Sequence, residues 1–119
     1  MSGQELRKEP RFAAAMLPAS LRSVRILLAG SEIMAKVIDA SYSGFGFQIQ
    51  KSVENFILGS SLVIYPKESA SAIYGVVVYA KPLAEGLTRV GIQLKEVGHF
   101  KEYREDLRRV LSQRATIQN

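Results

Sequence analysis

The stretch DASYSGFGFQIQ, residues 39–50, decides the fold. Its second half alternates without a break: Phe45, Phe47 and Ile49 fall on one side, Gly46, Gln48 and Gln50 on the other. A period of two residues marks a strand with one face turned to a core. The first half is a connection of unusual make-up. A turn needs Gly, Asn or Asp for its backbone, yet here an acid and two serines crowd into six residues.

The same period extends in both directions. Upstream, RSVRILLA (22–29) sets Val24, Ile26 and Leu28 on one face, and SEIMAKVID (31–39) sets Ile33, Ala35 and Val37 on one face. Downstream, SSLVIYP (60–66) reads as a fourth strand stopped by Pro66. AIYGVVVYAK (72–81) reads as a fifth stopped by Pro82, and TRVGIQLKEV (88–97) as a sixth with Val90, Ile92 and Leu94 together. Six short strands with turn residues at each junction predict an antiparallel β-barrel, since closure leaves no sheet edge exposed. From His99 to Arg114 there is no Gly or Pro, and Phe100, Tyr103, Leu107, Val110 and Leu111 recur at helical spacing. This predicts a C-terminal amphipathic α-helix laid on the barrel, with His99 at its start. The expected organisation is one domain over 1–119: a flexible arm at 1–11, a connector from Phe12 to Leu21, a barrel at 22–97 and a helix at 99–114.

Composition narrows the chemistry. A chain of 119 residues, 47 % of them hydrophobic, can bury a core without metal or disulfide. It has no Cys and one His, which removes thiolate zinc sites, Cys nucleophiles and His clusters. No metal site or catalytic residue is expected. Ser41 and Ser43 lack a neighbouring base, and neither has the Gly two residues before it that a G-x-S-x-G elbow requires. GFG lacks the Lys and Ser/Thr of a phosphate loop. The expectation is a binding protein and not an enzyme. A net charge of +5 favours an anionic partner. No apolar run reaches the roughly 20 residues that cross a bilayer. The apolar part of FAAAMLPAS stops at Pro18, short of a signal-peptide core of ~7–15 residues, so the chain reads as cytoplasmic without membrane insertion.

Two motifs offer binding chemistry, though each taken alone also reads as plain structure: RKEPR as a disordered tail, DASYSG as an Asx-type turn with Asp39 bonding its own backbone. In RKEPR, Arg7 and Arg11 stand four apart; each guanidinium is a planar fork that fits phosphate oxygens or the O6/N7 edge of guanine. In DASYSG, Asp39 can accept from guanine N1–H and N2–H, and Ser41 adds a short hydroxyl. Gly44 meets a positive-φ or close-approach demand. A second R-x-x-x-R pair, Arg104 and Arg108, falls at helical spacing and reads as a solvated, salt-bridged face. Tyr42 and Tyr74 read as core or rim packing, with surface or partner contact as the other reading.

With both motifs in view, the chain resembles the PilZ domain family of bacterial cyclic di-GMP receptors. That family is marked by an R-x-x-x-R arm and a [D/N]-x-S-x-x-G turn between the second and third strands of a six-stranded barrel. GVVVYA, VGIQL and a C-terminal helix extend the resemblance over nearly the whole chain. It implies a mainly β fold with cyclic di-GMP as ligand and no other cofactor. It implies that Arg7 and Arg11 grip phosphate and guanine edges, Asp39 and Ser41 contact a guanine, and Gly44 shapes the turn. Leu6, before the first arginine, leans toward one ligand molecule per chain. The function so implied is a receptor that orders its arm on ligand binding and signals to an effector protein in motility, adhesion or exopolysaccharide control. Two other readings are a ligand-independent module of the pilus-assembly type and a small basic barrel for nucleic acid. The first typically lacks both motifs. The second would want exposed aromatics for stacking, whereas Phe45 and Phe47 face inward.

Overall fold

A computed structural model describes residues 10–67 and 70–118 of the chain, with side chains described to Arg109 and at Ser112. Among the described residues seven strands and one α-helix follow in order: β1 (Phe12–Ala13), β2 (Ser23–Leu28), β3 (Ser31–Ala40), β4 (Gly44–Ile49), β5 (Ser61–Pro66), β6 (Ile73–Ala84), β7 (Leu87–Gly98) and α1 (Phe100–Gln118). Every pairing is antiparallel. The order β3-β2-β5-β6-β7-β4 closes on itself through β3–β4, giving the expected six-stranded barrel.

The extra strand is β1. The connector from Phe12 to Leu21 supplies two residues that pair with the end of β3, Phe12 opposite Ala40 and Ala13 opposite Asp39. Short one-turn 3-10 segments at Ala14–Met16 and Ala19–Leu21 then carry the chain into β2. β6 also departs from expectation by running through Pro82 to Ala84. Its pairing with β5 ends at Val76, so Pro82 lies on a stretch with one free edge, where a missing N–H is tolerated.

The alternation places the core as read. Val24, Ile26, Val37, Phe45, Phe47 and Val90 are fully buried in the barrel, and the Phe45 and Phe47 rings stack 5.4 Å apart. Gly46 departs from the outward reading in being buried, for a reason given below. Phe100, Tyr103 and Leu107, one face of α1, are buried in the same core as the barrel side chains. Each such burial is worth about 1.5–3 kcal/mol. His99 starts α1, its carbonyl accepting the Tyr103 amide at 3.0 Å and its imidazole 3.5 Å from Glu102. The helix runs past the expected end at 114; Val110 and Leu111 belong to it, their side chains outside those described.

Candidate ligand-binding site

The turn between β3 and β4 is tied down from three sides. The Ser41 amide donates to the Gly44 carbonyl at 2.8 Å and closes the turn. The Leu94 amide of β7 donates to the Ser43 carbonyl at 2.8 Å. From the helix, the Tyr103 hydroxyl donates to the Ser41 carbonyl. Ser41 is 1 % exposed, and its hydroxyl accepts a long 3.4 Å bond from the Ser43 amide. In this geometry Ser41 shapes the turn from within. Gly44 meets a close approach and not a positive φ: a Cβ there would fall 2.6 Å from the Ile92 carbonyl oxygen.

Asp39, the last residue but one of β3, points outward between two cations. Its Oδ1 accepts from Arg11 at 2.7 Å and its Oδ2 from Arg89 of β7 at 3.3 Å. The pairing of β1 with β3 brings Arg11 here. The hydrogen bond from Arg11 to Asp39 raises the arginine's pKa against the lowering effect of partial burial, so it stays a cation. Arg89 in turn donates from Nε to the Tyr79 hydroxyl at 3.1 Å. Arg11, Asp39, Arg89 and Tyr79 thus form one chain of contacts across the outside of β3, β4, β7 and β6.

Two glycines make this possible. Register pairs Asp39 with Gly46, Gly46 with Gly91, and Gly91 with Tyr79. A Cβ on Gly46 would lie 2.6 Å from Asp39 Oδ1, and one on Gly91 would lie 2.1 Å from the Tyr79 ring. The carboxylate and the ring therefore lie down over the spaces two side chains would fill, and they cover Gly46. Asp39 is 21 % exposed, Arg89 35 % and Arg11 49 %, so the charges remain open to a ligand. Ion pairs this accessible contribute about 0–1 kcal/mol to stability. The cluster is surplus in positive charge, two guanidiniums to one carboxylate.

Of the residues singled out in the sequence, Arg11, Asp39, Ser41 and Gly44 come together here; Arg7 and Leu6 lie outside the described residues. Arg89, Tyr79, Gly46 and Gly91 were missed. Their signal was the outward phase of TRVGIQL and GFGFQIQ, but which glycine faces which follows from register alone. The second arginine pair also differs from expectation. The Arg104 and Arg108 guanidiniums sit 5.6 and 5.7 Å from the centre of the Tyr42 ring, which projects from the turn. Phe12 meets the same ring edge-on at 6.0 Å. Tyr42 is rim packing, as read, and offers these cations an aromatic face. Among the described residues no group of three or more His, Cys, Asp or Glu could hold a metal ion. No described helix is long and apolar enough to cross a membrane.

Comparison with solved structures identifies the fold. MrkH, a c-di-GMP-dependent transcription regulatory factor, matches with TM-score 0.60 and 14 % identity over 92 % of this chain and 51 % of its own. The Bacillus subtilis inhibitor of motility MotI/DgrA matches with TM-score 0.62 and 15 % identity over 95 % and 53 %. The PilZ domain of YcgR from Escherichia coli, solved with c-di-GMP, matches with TM-score 0.60 and 12 % identity over 92 % and 97 %. The chain thus spans about half the length of MrkH and MotI/DgrA and nearly all of the YcgR domain. The fold is that of PilZ-domain proteins. No family model and no curated protein matches the chain.

Proposed function

We propose that this protein is a cyclic di-GMP receptor that binds the dinucleotide at the Arg11–Asp39–Arg89 cluster and signals through a partner protein. The observation that carries the reading is a single carboxylate held between two accessible guanidiniums on the outer barrel wall. Asp39 accepts from the N1–H and N2–H edge of a guanine. Arg11 and Arg89 then exchange part of their bond to Asp39 for phosphate oxygens or the O6/N7 edge. Tyr79, lying over Gly91 beside Arg89, offers an aromatic surface to the base. Ser41 and Gly44 act through the backbone, keeping Asp39 at the rim, with the Ser41 hydroxyl as a further contact if the turn opens. Arg7 adds a second fork from the arm. Ordering of the arm would be offset by these charge-assisted bonds and would present a new surface to an effector.

Isothermal titration with cyclic di-GMP tests this. Micromolar or tighter binding that is lost in both Arg11→Ala and Asp39→Ala supports it. Absence of heat at high ligand concentration overturns it, and a gel shift with single-stranded and duplex DNA checks the nucleic-acid reading.

A further inference from the structure

The outer face of β2, β5, β6 and β7 carries an apolar row that the proposed ligand site does not use. Leu27 pairs with Val63 and Val63 with Tyr74, so the three stand side by side across three strands. The Tyr74 ring rests against Gly98, next to Val97, which is 54 % exposed. These residues line a shallow depression of about 400 Å³ together with Lys95. A second depression shares Ala29 and Ser61 with it and extends the apolar ground to Ile57, 70 % exposed and followed by Leu58 at 65 %. The second depression is also lined by Ser31, Lys51 and Asn55, so the apolar ground is densest along the row itself, and exposed apolar side chains grouped in this way point to a contact site.

Two observations define the occupant. Leu27 and Val63 are each paired on both sides, and β6 runs between β5 and β7 with a bulge at Tyr74, so a partner strand cannot add across β2, β5 and β6. Contact across these three strands is therefore made by side chains. Second, the Lys95 ammonium stands within the depression, hydrogen-bonded to Ser61 Oγ at 3.1 Å and paired with no carboxylate among the described residues. A second copy of the chain on this face would bury two such cations in one interface, which is costly. A partner bringing a carboxylate would neutralise it. From Leu27 to Tyr74 the row spans about 10 Å, two strand spacings, which is also the rise of about seven helical residues.

We propose that this face docks an amphipathic helix of a partner protein, with apolar side chains at i, i+3 or i+4, and i+7 along the row and an Asp or Glu over Lys95. Tyr74 and Tyr79 lie on the same strand, about 17 Å apart, so this face is separate from the cyclic di-GMP cluster yet joined to it by β6.

The test uses the full chain without nucleotide, so its result is independent of the ligand proposal. Helical peptides of sixteen residues are selected from a random displayed library, and the winners are mapped by NMR. Enriched peptides should carry the apolar spacing with an acidic residue on the same face and shift the signals of Leu27, Val63, Tyr74 and Val97. Val97→Glu should weaken them at least tenfold, and Lys95→Glu should turn the preference to basic peptides. Thermal melts of both variants should match the parent, showing that the fold is kept. No enrichment, winners without the acid, or shifts elsewhere would overturn the proposal. So would a monomer–dimer equilibrium in light scattering that Val97→Glu abolishes, which assigns the face to a second copy.

Discussion

The carboxylate of Asp39 lies over Gly46, so close that a Cβ at position 46 would fall 2.6 Å from Oδ1. The atom it would meet is the far end of a side chain, which can swing away. Gly46→Ala should therefore leave the fold within about 1 kcal/mol of the parent while it pushes Asp39 off Arg11 and Arg89. Cyclic di-GMP affinity should drop at least tenfold, about 1.4 kcal/mol, by titration calorimetry. Unchanged affinity would show that the position of the carboxylate does not matter.

Gly44→Ala should behave in the opposite way. Its Cβ would meet the Ile92 carbonyl oxygen at 2.6 Å, and a backbone cannot swing aside. Overpacking of this kind costs about 1–3 kcal/mol. Urea unfolding should show the loss directly, and any loss of binding should follow from it.

Asp39→Asn keeps the shape and removes the charge. Because both ion pairs are accessible, stability should change by less than about 1 kcal/mol in urea unfolding. Binding should weaken at least tenfold, since the amide presents a donor to the guanine N–H edge. Restoration by a ligand with adenine in place of guanine would change the base assignment.

Tyr103→Phe removes the hydroxyl that holds the Ser41 carbonyl, a buried acceptor. The cost should be about 1–3 kcal/mol, the penalty of an unsatisfied buried group. Hydrogen exchange should show the amides of Ser41 and Leu94 losing protection first.

A stabilising change is also expected. Ala29 and Gly30 join β2 to β3 with φ of 52° and 82°, a two-residue hairpin loop with both residues left-handed. Ala29 lacks what that conformation favours. Ala29→Asn or Ala29→Gly should raise stability by about 0.5–1 kcal/mol, read as a melting point a few degrees higher.

Barrel and helix were legible because they rest on local periods: Phe45, Phe47 and Ile49 alternate, and Phe100, Tyr103 and Leu107 follow the helix. Asp39 and Arg11 were legible because each carries its chemistry in its own side chain. What could not be read depends on register. Nothing in GFGFQIQ or TRVGIQL says that Gly46 faces Gly91, or that Arg89 reaches Asp39 across β4. β1 was hidden for a related reason, since two residues of an Ala-rich connector have no period to detect. Arg104 and Arg108 misled because helical spacing is equally good for a solvated face and for two cations converging on Tyr42.

The β3–β4 pairing that closes the barrel contains the rung Asp39–Gly46. A nucleotide held by Arg11 before β1, Asp39 on β3 and Arg89 on β7 would straddle that seam and act as a clasp on it. Opening of the barrel there would require the clasp to release first, so occupancy should be recorded in how long the protein resists a protease pulse.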